Sequence, residues 1–110
     1  MNIKIWNIED ETGYKPMYTF YEDLSIAEMF GLDAVKETYD EIMKSWSKEY
    51  KALTEFVMAL NWKTWEHADK EGRCSSKICE LYINLFEEAQ NYAYENLKGD
   101  ELKYFMEVTD

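Results

Sequence analysis

Residues 33–71, DAVKETYDEIMKSWSKEYKALTEFVMALNWKTWEHADKE, decide the fold, because no glycine or proline interrupts them. Val35, Tyr39, Ile42, Trp46, Tyr50, Leu53, Val57, Leu60, Thr64 and Ala68 recur every three or four residues. At about 100° per residue these positions keep to one stripe of a helix. A single helix of about 38 residues would run to about 57 Å, against a radius of gyration near 13 Å expected for a domain of this length. Either the helix breaks, or an elongated chain pairs with a second copy. Ser45-Trp46-Ser47 is the weak point. Ser47 can cap a second helix, and helices average three to four turns, so a break is expected there.

Working outward, Gly72, with Lys70 in the turn before it, stops this segment. Ser75 or Ser76 then caps a long helix to about Leu97, with Ile78, Leu81, Tyr82, Leu85, Ala89, Tyr92 and Ala93 as its buried face. Gly99 ends it, and Asp100 can cap a short terminal helix, ELKYFMEVT. Upstream, Ser25-Ile26-Ala27-Glu28 has the form of a capping box opening a short helix that Gly31 closes, with Asp33 as the next N-cap. The first residues differ. Ile3 and Ile5 alternate with polar neighbours, IEDETGYKP holds Gly13 and the only proline, and MYTFYE (17–22) is rich in β-favouring Tyr, Thr and Phe. This pattern predicts a β-hairpin, which must lie on helices because two strands alone are marginal in water. The expected class is α+β: mostly α-helical, an N-terminal β-hairpin (1–23) packed on three to five helices (25–110), in one domain spanning 1–110.

Composition bounds the function. The chain has 110 residues, 23 acids against 12 bases and a net charge of −11. The acidity is even, −6 over residues 1–55 (12 acids, 6 bases) and −5 over 56–110 (11 acids, 6 bases). An acidic surface repels phosphate backbones, so direct nucleic-acid binding is not expected. The same field keeps a small protein dispersed, or steers it to a basic partner. Lysine outnumbers arginine eleven to one, a bias that follows AT-rich codons and points to a bacterial or phage genome. Only Arg73 can grip an anion with two donors. The N-terminus lacks the basic and apolar pattern of a secretory signal, and the longest apolar run outside it, Phe56–Leu60, is far too short for a membrane span. Cys74 and Cys79 read as reduced, intracellular thiols, since five positions apart at a helix start is poor geometry for a bridge. A cytoplasmic location is expected.

The run LNWKTWEHADKEG (60–72) gathers two tryptophans, the only histidine and five charged residues. On a helical wheel it comes apart. Leu60, Thr64 and Ala68 continue the main stripe, and Lys63, Glu66 and Lys70 point to water. Met58, Trp62 and Trp65 form a second apolar stripe about 150° from the first. A helix with two apolar sides is usually central, with a layer on each; the alternative is that Trp and Met meet a partner. His67 shares a face with Glu71 at i, i+4, the spacing of a surface pair. One histidine cannot supply a four-helix di-iron site, and zinc would need Cys74, Cys79, His67 and a carboxylate to converge. No phosphate-cradling glycine loop or EF-hand spacing occurs. No cofactor, metal or catalytic residue is therefore assigned.

The reading drawn is a small acidic, non-enzymatic interaction or regulatory protein, an accessory factor of a phage or mobile element, with a protein partner or a second copy of itself. Its contact residues would be Met58, Trp62 and Trp65, with Trp6, Tyr14 and Tyr18 from the hairpin. Two alternatives stand beside it: a nucleic-acid mimic that inhibits a DNA-binding protein, and a ligand-binding or enzymatic domain centred on His67.

Overall fold

The break in the long apolar stripe is real. In the computed structural model, which describes residues 17–45 and 50–109, helix α2 (Leu32–Ser45) ends at the serine and α3 (Tyr50–Glu66) begins five residues later. The longest dimension of the molecule is 37 Å, too short for one unbroken helix over the whole stripe. Around this pair lie α1 (Met17–Glu28), α4 (Lys77–Asn96) and α5 (Gly99–Thr109). Among the described residues there are five helices and no strand.

The α+β class is therefore corrected to α, and with it the N-terminal β-hairpin. MYTFYE is the opening of α1, not a strand. Residues 1–16, with Trp6 and Tyr14, lie outside the described residues, and Tyr18 falls in the first turn of α1. The β-preference of Tyr, Thr and Phe is a weak prior that packing overrides. Phe20, Leu24 and Ala27, spaced four and three apart, turn one face inward and are 2%, 0% and 0% exposed. The Phe20 ring meets that of Phe56 on α3 at 5.3 Å between centroids. Ser25 stands inside α1 and caps nothing, and Glu28 is its last residue.

Gly31 does close the turn after α1, at φ +104°, where an L side chain would be strained. Asp33 lies in the first turn of α2, just inside the helix rather than at its cap. Ser76 caps α4 as expected, its hydroxyl accepting from the Cys79 backbone N–H at 3.2 Å. Gly99 opens α5 rather than only ending α4.

Helix α3 is central, packing against α1, α4 and α5. Its Leu53, Phe56, Val57 and Leu60 are wholly buried, in one core with Val35 of α2, Tyr82 and Leu85 of α4 and Phe105 of α5. Each such side chain contributes about 1.5–3 kcal/mol on leaving water. No helix among the described residues is long and apolar enough to cross a membrane.

Candidate functional site

Helix α3 ends at Glu66, well before Gly72, and this early stop builds the site. The chain leaves the helical path just after His67, whose backbone N–H still reaches Lys63 O at 3.3 Å, so the spacing to Glu71 no longer brings the two together. Glu71 pairs instead with Arg73, while Asp69 Oδ1 accepts from the backbone N–H groups of Glu71 and Arg73, both at 2.9 Å. The connection 67–76 is thus folded on itself and not a slack tether.

On one side of the α3 terminus lies an ion cluster. Lys63, expected to face water, is 1% exposed along its side chain. Its Nζ sits 3.0 Å from Glu28 Oε1, 2.9 Å from Glu66 Oε2 and 4.2 Å from the centre of the Tyr21 ring. Glu28 Oε1 also accepts from Tyr82 Oη at 2.7 Å and faces His67 Nε2 at 3.0 Å. Ionised Glu28 can only accept, so His67 Nε2 carries the proton of that contact. Tyr21 Oη donates to Glu66 Oε2 at 2.6 Å, and the rings of His67 and Tyr82 stack at 5.6 Å and 11°.

The electrostatics follow from these contacts. Burial pushes the Glu28 carboxyl up, but the donors Tyr82, His67 and Lys63 outweigh it and hold the group below the ordinary carboxylate value. Glu66 is also held low, burial again opposing and Tyr21 and Lys63 prevailing. Burial pulls Lys63 down, but hydrogen bonds to Glu66 and Glu28 leave it raised. Burial first and then the bond to Glu28 push the Tyr82 phenol up.

The ligand atoms of Glu28, Glu66 and His67 lie within 4.8 Å of one another, a set that could in principle hold a metal ion. However, the Lys63 ammonium stands between the two carboxylates and supplies the cation itself. Being buried, it cannot reach a substrate as a nucleophile. These contacts fasten α1 to α3 and α4.

Another side of α3 carries an apolar group that no described element covers. Trp62 is 55% exposed and Trp65 64% exposed, with Met58 half-buried beside them. The structure brings these three together as the spacing predicted. It does not lay another described element over the tryptophans, contrary to the expectation for a central helix. Below Trp65 is a cavity of about 230 Å³ lined by Thr64, Trp65, Gly72, Cys74, Cys79 and Phe86 among others.

The two cysteines are not free thiols. They are bridged, with Cα atoms 5.4 Å apart, inside the span a disulfide requires. Cys74 precedes the helix and Cys79 is in its first turn, so the bend at Ser76 brings together two residues that a continuous helix would separate. The ion cluster and the bridge escaped sequence reasoning, although Lys63, Glu66 and His67 at i, i+3 and i+4 were a legible row.

No protein-family model, no curated protein and no solved structure matches this chain.

Proposed function

We propose that this chain is a non-enzymatic interaction protein that docks a basic segment of another protein on the Trp62–Trp65 face. The observation that carries the reading is the exposure of two tryptophans, 55% and 64%, on the most deeply packed helix of the fold. Trp is enriched where interfaces concentrate their energy. The adjoining cavity, at about 230 Å³, falls below the roughly 300–1,000 Å³ of most small-molecule sites and suits one inserted apolar side chain. The net charge of −11 selects a basic partner and speeds its approach. Exposed acids occur on α1, α2, α4 and α5 alike, which favours diffuse attraction over imitation of phosphate rows. Residue usage alone suggests an accessory factor of a phage or other mobile element, acting in the cytoplasm.

The test is a fluorescence-anisotropy titration of a fluorescein-labelled peptide rich in lysine and leucine. Binding should weaken as salt rises and disappear in a Trp62→Ala/Trp65→Ala variant that keeps its helical spectrum. Undiminished binding by that variant would sink the reading. Sedimentation run alongside decides the occupant, because self-association that the double variant abolishes would assign the face to a second copy of the chain.

A further inference from the structure

The cavity wall beneath Trp65 contains both sulfurs, and the loop that carries one of them also touches the Trp65 ring. A Cβ built on Gly72 would lie 3.4 Å from Trp65 Cζ3, so the Gly72 backbone is laid against the indole. Gly72 has φ +77°, a conformation that glycine adopts at no steric cost. Two residues later Cys74 fastens the same loop to α4 through Cys79. Cys79 Sγ in turn lies 3.3 Å from the carbonyl oxygen of Thr64 on α3. Helix α3, the loop and α4 therefore meet at one bridge.

We propose that the Cys74–Cys79 pair is a redox latch on the Trp65 cavity, shaping the docking face when oxidised and releasing it when reduced by a dithiol. The proposal rests on the docking reading above and adds its control.

The two sulfurs are unequal in the way exchange needs. Cys74 is half-buried at the protein surface, and Cys79 is fully buried. A dithiol's thiolate attacks Cys74 Sγ, forming a mixed disulfide, while the Cys74–Cys79 bond breaks and Cys79 leaves as thiolate. The leaving sulfur sits in the first turn of α4, where the positive end of the helix dipole favours negative charge. It takes up a proton, and the new S–H has an acceptor waiting in Thr64 O at 3.3 Å. The second thiol of the reductant then attacks its own sulfur in the mixed disulfide and frees Cys74, which is protonated. Two electrons and two protons pass to the pair, and the reductant ends as a disulfide. Both redox states of Cys79 thus have a stable place, whereas Cys74 and the loop behind it lose their anchor.

This use also fits the sparse cysteine content. Small secreted domains rely on several bridges, while isolated bridges in reducing compartments are usually transient or sensing. A single pair beside the face that, among the described residues, exposes two tryptophans is placed to report redox state to a partner.

The test compares oxidised protein, dithiothreitol-treated protein and a Cys74→Ser/Cys79→Ser variant. Two quantities are read in each: amide exchange of segment 67–76, and affinity for the neutral apolar dye Nile red. In both reduced forms exchange in the segment should rise about tenfold while that of α2 stays unchanged, as local opening requires. Dye affinity should fall about fivefold in the same samples, a change of about 1 kcal/mol. Exchange and affinity equal within about twofold across the three samples would overturn the latch. So would thiol titration that finds two free thiols even after treatment with oxidised glutathione. Trp65→Ala separates the two ideas. If oxidised Trp65→Ala binds the dye as wild type does, the docking reading fails while segment exchange still judges the latch. Dye binding that needs Trp65 but ignores redox state sinks the latch alone.

Discussion

Trp62 and Lys63 are adjacent in sequence and occupy each other's expected surroundings: the indole is 55% exposed, and the lysine side chain is 1% exposed. The difference lies in what each finds within reach. Lys63 meets two carboxylates and the Tyr21 ring, so its charge is compensated at every side. Trp62 is large and apolar, yet no described helix is laid on its side of α3. Burial in this region follows the supply of partners and not the hydropathy of the residue. Charge pairing closes one face of α3, and no described helix closes the apolar one.

The contrast is broken most forcefully at Lys63. Lys63→Ala removes the cation between Glu28 and Glu66 and leaves two carboxylates facing each other beside the space its side chain filled. Removing one partner of a buried pair typically costs about 3–5 kcal/mol, and because Glu66 is 45% exposed the lower part of that range applies here. Urea unfolding should show a midpoint lowered by about 3 kcal/mol in equivalent stability. A loss under about 1 kcal/mol would mean that the cluster is held by its surroundings and not by its charge.

The next effect is dependence on pH, and it should come from the same face. Glu28 is ionised more readily in the fold than in the unfolded chain, because its donors outweigh burial. Its contribution is therefore present above the ordinary value of 4.5 and is lost as pH falls through the lower folded value. Lys63 is shifted upward, so its contribution is complete below 10.5 and is lost as pH rises through the higher folded value. Stability should be flat between these limits and fall on both sides. Other carboxylates add to the acid limb, so the useful quantity is the difference between wild type and Glu28→Gln. That difference should shrink as the medium is acidified. A difference independent of pH would show that Glu28 acts through shape alone.

These two faces were unequally legible from residues alone. Helices α2, α4 and α5 were readable because Val35, Tyr39 and Ile42, or Leu85, Ala89 and Ala93, repeat at helical spacing and the boundaries carry Ser76 or glycine signals. Helix α1 was not, because Tyr18, Thr19, Phe20 and Tyr21 favour strands individually; yet Phe20, Leu24 and Ala27 already held the helical interval that burial uses. The apolar trio Met58, Trp62 and Trp65 was readable because its members share one helix. The Lys63 cluster was not, since Glu28 and Tyr82 are distant in sequence and meet α3 only after α1 and α4 have packed. The Cys74–Cys79 bridge failed for a similar reason, because its geometry depends on where α4 begins.

The smallest expected effect on stability lies at Trp62, and that small value is the most informative result. Exposed substitutions away from special features usually stay within about ±0.5 kcal/mol. Trp62→Ala should do the same, although it removes the bulkiest type of side chain from the helix that anchors the fold. Trp65→Ala should cost somewhat more, since its ring rests against Gly72 and walls the cavity. The binding titration should show the reverse order of magnitude from unfolding, with Trp62→Ala losing about tenfold in peptide affinity, or about 1.4 kcal/mol. Lys63→Ala tested at a temperature where it remains folded should bind nearly as wild type does, because its charge points away from the docking face. If Trp62→Ala instead lowered stability by more than about 1.5 kcal/mol, the indole would have to be covered by the chain itself. The open face would then be part of the core, and no partner would be needed to explain it.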